Sequence, residues 1–272
     1  MKNSRILFLG LVALVFSVTA KADVLVLVHG YLGSASSWEQ SGVNAVLETS
    51  GWSRAGVLLA GPQGVQVVPV SAGDSDNKAY TVELPSMAPM MVQANYLQAM
   101  LQAVSTRHPG EPVILAAHSA GGVVARVVLV RGGVANAKAL ITIASPHLGT
   151  LRAVQALDAT DSSGPFGFVK NIFGGDTYHV VKDSWGALVD LTPPYPGSLL
   201  YWLNIQQHPD IAYHAVVRTG AVGMGDELVP VYSQDLNNVP ALQGKAQVVA
   251  VNTGHVLNPQ DGVVLAEILK QL

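Results

Sequence analysis

Val113-Ile114-Leu115-Ala116-Ala117-His118-Ser119-Ala120-Gly121-Gly122 is an apolar run that halts at a serine flanked by small residues and passes into a second apolar stretch. The pattern reads as a buried strand turning directly into a helix. A turn this tight forces unusual backbone angles on Ser119, and only small neighbours such as Ala117 and Gly121 escape collision. That strain presents the hydroxyl at the edge of the sheet. The helix that follows aims its first amides and the positive end of its dipole at the same spot, which favours negative charge there. Ser119 is therefore a candidate nucleophile. The competing reading is a plain Ala/Gly-rich turn, and both the strand before it and the helix after it count against that.

Outward from this turn, short apolar runs recur at Val24 to Val28, Val65 to Val70, Ala139 to Ile143, His214 to Thr219 and Ala246 to Val251. Fully apolar strands alternating with helical stretches indicate an α/β chain with a mostly parallel sheet and helices on both faces. Met87 to Arg107 has helical spacing and ends ahead of Pro109, Gly121 to Val130 reads as a buried helix, and Gly262 to Gln271 as the last one. Leu151 to Asn204 breaks the rhythm with clusters of glycine, proline and aromatic residues, so it reads as an insertion. Asp74 to Asn77 reads as a polar loop.

The first strand runs into His29-Gly30-Tyr31-Leu32-Gly33. Here the backbone can form an anion trap in which the amides of Tyr31 and Ala120 are the expected donors, each typically worth about 3 kcal/mol to a developing oxyanion. Gly30 permits close approach, and His29 reads as a structural histidine bonding within its loop. A general base is expected late in the chain, where Asn252-Thr253-Gly254-His255 follows the last apolar run. His255 fits that role. His118 sits beside the serine and has to point elsewhere, and the remaining histidines lack a strand-end setting. A carboxylate must then hold the imidazole in the correct tautomer. Asp226, in Met224-Gly225-Asp226-Glu227-Leu228-Val229-Pro230, is the first choice, with Glu227 and Asp235 as the alternatives.

The N-terminus supplies Lys2 and Arg5, an apolar run from Ile6 to Val18, and small residues at Ala20 and Ala22, the pattern of a secretory signal peptide over residues 1–22. At about 1.5 Å per residue that run falls well short of a roughly 30 Å hydrocarbon core. Cleavage before Asp23 is expected, with cleavage after Ala20 or an uncleaved anchor as alternatives. Residues 23–272 then form one domain, exported to the periplasm or beyond. Removing Lys2, Arg5 and Lys21 leaves the chain more acidic than its full-length charge of −3, which gives no footing for a nucleic-acid partner. The chain has no cysteine, which excludes disulfides, thiolate metal sites and a cysteine nucleophile.

With these residues in place the chain resembles the bacterial lipases and esterases of the α/β-hydrolase superfamily, especially the secreted triacylglycerol lipases. The carriers are the His29-Gly30-Tyr31 loop, the Ala117-His118-Ser119-Ala120-Gly121 elbow, Ile143-Ala144-Ser145-Pro146-His147-Leu148-Gly149-Thr150, and the order Ser119, Asp226, His255. Ala117 stands where the commonest form of the elbow has glycine. The resemblance implies an α/β-hydrolase fold in which 151–204 is a lid or acyl-binding cap that touches a lipid interface transiently. Phe166, Phe168, Ile172, Phe173, Trp185, Tyr195, Leu199, Leu200 and Trp202 would then be acyl-chain contacts. It also implies hydrolysis of carboxylic esters, of lipids above all, through an acyl-enzyme on Ser119 with no cofactor. Calcium-dependent members carry an aspartate two residues after the histidine. Leu257 takes that place here, and Asn258, Gln260 and Asp261 are a poor set for a hard cation, so no structural calcium is expected. The competing readings are a short-chain esterase or thioesterase, an acyltransferase using the same serine, and a non-catalytic binding protein on a hydrolase scaffold.

Overall fold

The computed structural model describes residues 22–70, 73–161, 177–221 and 223–272. Residues 1–21 of the expected signal peptide lie outside the described residues, as do Phe166, Phe168, Ile172 and Phe173. Among the described residues no helix is long and apolar enough to cross a membrane.

Strands β1 (Val24–Val28), β2 (Ser53–Gly61), β3 (Gly64–Val68), β4 (Lys78–Glu83), β5 (Val113–His118), β6 (Ala137–Ile143), β7 (Ala212–Arg218) and β8 (Ala246–Val251) form one sheet in the order β3-β2-β4-β1-β5-β6-β7-β8. Seven strands run parallel, and β3 alone is antiparallel to its neighbour β2. Every residue of β1 is buried, because this central strand is covered on both faces. That double burial is what an unbroken Val-Leu-Val-Leu-Val run encodes.

On one face lie α3 (Met90–Arg107) and α4 (Ala120–Val130), on the other α2 (Val43–Thr49) and α10 (Pro259–Leu269); the short α1 (Ser37–Gln40) precedes α2. In α3 the buried residues Met90, Gln93, Ala94, Leu97, Met100, Leu101 and Val104 form one stripe at helical spacing. Between β6 and β7 come α5 (Leu151–Asp161), α6 (Thr177–Asp183), α7 (Trp185–Asp190) and α8 (Leu199–Ile205), and before β8 the single turn α9 (Val231–Gln234).

Two strands escape the sequence pattern. β2 carries Ser53, Arg54 and Gly56 and has a register shift at Arg54/Gly56, while β4 begins at Lys78 and ends at Glu83, so neither is an apolar block. The strand expected over Val65 to Val70 is the antiparallel edge strand β3, joined to β2 by a tight turn in which Gly61 pairs with Gly64. Leu151 to Asn204 also differs from a uniform insertion. Its last helix, α8, sends Leu200 and Leu203 into the main core and packs on α4, whereas Ala153 and Ala156 of α5 and Leu188 of α7 line a cleft with Ser119.

The early part of this segment is fastened to the body by polar contacts. Asp190 accepts a hydrogen bond from the first amide of α3 at 2.8 Å. The Tyr31 hydroxyl bonds the Ser184 hydroxyl at 2.6 Å. Thr150 donates to the Leu228 carbonyl, and Arg152 Nε donates to the Glu227 carbonyl at 3.0 Å.

Candidate active site

Ser119 stands between β5 and α4 with φ 51° and ψ −129°, a conformation that L-residues avoid unless the surroundings impose it. Two packing constraints impose it here. A Cβ on Gly121 would come within 2.4 Å of the His29 carbonyl oxygen, so only glycine lets α4 start this close to the β1 loop. A Cβ on Gly30 would lie 2.8 Å from Ser119 Cβ and 3.4 Å from its Oγ, which puts the backbone just before Tyr31 against the hydroxyl.

The structure brings Ser119, His255 and Asp226 into one hydrogen-bonded row. His255 Nε2 lies 2.9 Å from Ser119 Oγ, and His255 Nδ1 lies 3.0 Å from Asp226 Oδ2. The imidazole is buried and Asp226 has no side-chain exposure. Burial alone would raise the Asp226 carboxyl, but the His255 contact and the amides of Val229 and Leu228 outweigh it and hold the group below the usual carboxylate range. Asp226 Oδ1 takes the Leu228 and Val229 amides at 2.8 and 2.7 Å, and Oδ2 takes Gln234 Nε2 at 3.1 Å besides the imidazole. A carboxylate that only accepts, facing Nδ1, fixes the tautomer in which Nε2 is bare toward the serine.

Tyr31 lines the same cleft as Ser119, and the Ala120 amide is the first of α4, where helix amides lack an intrahelical partner. His29 is fully buried, with Nδ1 donating to the Gly30 carbonyl at 3.0 Å and Nε2 accepting from the Leu84 amide at 3.0 Å. It ties the loop to the end of β4. His118 points away from the serine and donates from Nε2 to the His255 carbonyl at 2.9 Å. Both oxygens of Glu227 face the His255 amide, at 3.1 and 3.3 Å. Asp235 caps a short turn through Asn237. Of the three carboxylates the sequence left open, only Asp226 reaches the imidazole. Gln234, which bonds Asp226, the Val229 carbonyl and the Arg218 amide, escaped the sequence reading because no motif marks a lone buried glutamine.

Two clefts meet at Ser119. One, with about 60 Å3 of free space, runs under the cap between Tyr31, Ala153, Ala156, Leu188, Leu191 and Val229. The other, about 380 Å3, opens past Leu32, Ser37, Gln40, Ser41 and Val256. Of the aromatic and aliphatic residues singled out in the sequence, the described ones, Trp185, Tyr195, Leu199, Leu200 and Trp202, do not line the first cleft. Leu199 and Leu200 belong to the α8 side that packs on the core, Trp202 packs against that core, and Tyr195 and Trp185 face solvent. Among the described residues the cap side of that cleft carries Ala153, Ala156, Leu188 and Leu191, whose presence in a helix carries no special signal. Where calcium-dependent lipases have an aspartate, Leu257 is packed in the core cluster beneath α10. Asn258 and Asp261 form the reciprocal N-cap of α10, and Asp261 Oδ1 lies 2.6 Å from Arg218 Nη2 as a fully buried ion pair outside hydrogen-bond angles.

The model of a family described as the alpha/beta hydrolase family matches residues 25–268. The chain belongs to this family. A comparison with curated proteins finds no match. Among solved structures, this hydrolase is similar in fold to the mature form of the lipase BlEst2 of Bacillus licheniformis, at 16% identity and TM-score 0.63 over 92% of each chain. A gene product of Listeria innocua matches at 15% identity and TM-score 0.60 over 92% of this hydrolase and 95% of that chain. A metagenomic carboxyl esterase, MGS0156, matches at 16% identity and TM-score 0.56 over 93% of this hydrolase and 77% of that chain. At these identities the likeness is one of fold, and the chemistry of this hydrolase has to be argued from its own residues.

Proposed function

We propose that the protein hydrolyses carboxylic esters of fatty acyl groups, with Ser119 as nucleophile, His255 as general base and acid, and Asp226 as the acid that orients it. The observation that carries this is the unbroken row from Ser119 Oγ through the imidazole to Asp226, at 2.9 and 3.0 Å. Ser119 attacks the ester carbonyl as its proton moves to His255 Nε2, and the oxyanion rests on the Tyr31 and Ala120 amides. The same proton then goes to the departing alcohol oxygen as the acyl-enzyme forms. Water, deprotonated by His255, attacks that acyl carbon and frees the acid and the serine.

The apolar cleft under the cap suits the acyl chain, and the wider, more polar cleft suits the alcohol. Leu151 and Trp185 of the cap and Val256 of the loop after β8 are 61%, 42% and 74% exposed around the two clefts, which supports transient contact of this rim with a lipid surface. Export through residues 1–22 is part of this reading. The narrowness of the first cleft favours a second one, a short-chain esterase. Turnover of aryl esters of increasing acyl length, by wild type and Ser119→Ala with fluorophosphonate labelling, separates the possibilities. A maximum at butyrate or shorter without a rise at an interface removes the lipid substrate, and equal rates in both proteins remove the serine.

A further inference from the structure

His255 sits in the loop between β8 and α10, outside any strand ladder or helix, so its peptide groups need partners from elsewhere. They find them in two residues that the chemistry above does not use. The amide donates to the Glu227 carboxylate, whose oxygens straddle it at 3.1 and 3.3 Å, and the carbonyl accepts from His118 Nε2 at 2.9 Å. Glu227 directly follows Asp226 in the chain, and His118 directly precedes Ser119. The immediate neighbours of the base's two partners thus grip the base's own backbone, one from each side.

Building on the Ser119–His255–Asp226 reading, we infer that His118 and Glu227 are positioning residues that form a two-sided clamp on the His255 peptide and set the imidazole between the serine and the aspartate. The clamp is short and stiff, since only one peptide unit separates each grip from the group that the ring must reach. A shift of the His255 backbone would lengthen one of the two ring contacts as it shortened the other. The His118 ring also lies beside the His255 ring, centroids 5.1 Å apart and tilted by 48°, which limits how far the imidazole can swing on that side. Burial and the neighbouring His255 push the His118 imidazole down to about 3, so it stays neutral and keeps the single N–H that the carbonyl needs. Glu227, by contrast, is exposed and accepts from the His255 amide, so truncating it leaves the core untouched.

The test uses the full-length protein with Glu227→Ala, Glu227→Gln, His118→Ala and His118→Gln, each scored by kcat and KM on one aryl ester and by fluorophosphonate labelling. Long exposure to the probe counts competent sites, and the rate of labelling reports the base. Each alanine variant is expected to label to full stoichiometry but about 30-fold more slowly, with kcat per labelled site down by a similar factor and KM within about twofold. The glutamine variants, which restore an acceptor at 227 and an N–H donor at 118, are expected to recover most of that loss. Glu227→Ala with wild-type kcat per site, while Ser119→Ala is inert, overturns the clamp and leaves the triad standing. Failure of both glutamine variants to rescue also overturns it. Activity in Ser119→Ala overturns the triad itself, and the clamp with it.

Discussion

Replacing Asp226 by asparagine tests the site through a tautomer. Oδ1 of Asp226 is met by the Leu228 and Val229 amides at 2.8 and 2.7 Å, so an asparagine must place its oxygen there and its NH2 where Oδ2 was. That NH2 then faces two groups that were donors, Gln234 Nε2 at 3.1 Å and His255 Nδ1 at 3.0 Å. Gln234 cannot flip to help, because its oxygen holds the Arg218 amide at 2.7 Å and its nitrogen the Val229 carbonyl at 2.7 Å. The imidazole adapts instead by moving its proton to Nε2, where it points at Ser119 and can no longer take the serine's proton. The expected fall in kcat is about 10³ to 10⁴, or roughly 4–5.5 kcal/mol of lost transition-state stabilisation. The donor facing Gln234 costs on the order of 1–2 kcal/mol of stability, a melting shift of a few degrees. Stopped aryl-ester assays beside circular dichroism melts measure both. Turnover within tenfold of wild type, in a protein with an intact fold, refutes the reasoning.

Three further predictions rest on other parts of the molecule. In Gly30→Ala the new methyl meets Ser119 Cβ at 2.8 Å and the His118 carbonyl at 3.0 Å, so kcat should fall at least about tenfold; wild-type kinetics would show that the loop yields freely. Asp261→Ala strands the fully buried Arg218 and should cost about 3–5 kcal/mol in urea unfolding, most of it recovered in Arg218→Met/Asp261→Leu; a single-variant loss under about 1 kcal/mol would mean the pair is not the anchor it looks. His208, depressed to about 4 by burial and by Arg126, accepts a hydrogen bond from Arg126 Nε at 3.1 Å. An unfolded histidine protonates near 6.5, so this stability is complete above that pH and is lost as pH falls toward 4, on the order of 3 kcal/mol in all. The urea midpoint should therefore drop between pH 6.5 and 5, less so in His208→Gln, and a flat profile in wild type would rule the mechanism out.

Much of this architecture is legible in the residues because its strongest signals are local. Val24–Val28 and Val113–Ala117 are buried on both faces and so are apolar throughout, and the small residues around Ser119 follow from a turn that any larger side chain would block. β2 is harder to see because it mixes charged and small residues and stays partly exposed beside the edge strand, and β4 because Lys78, Tyr80, Thr81 and Glu83 interrupt its apolar run although its centre is buried. Asp226 could be separated from Glu227 only in three dimensions. The two are adjacent in sequence, and what distinguishes them is which side of the loop faces the ring and which faces the peptide. Among the described residues, Trp185, Tyr195 and Trp202 draw attention in the sequence while Ala153 and Ala156 line the cleft.

The bonds from Thr150 and Arg152 to the carbonyls of Leu228 and Glu227 bear on engineering. Anyone exchanging the helices over the cleft for those of a relative would naturally splice at the end of β6. A splice there discards both fastenings and leaves the turn that carries Asp226 without its outer support, so the chimera would lose activity for reasons unrelated to the new helices. The junction belongs after residue 152, where the native threonine and arginine stay with the scaffold they hold.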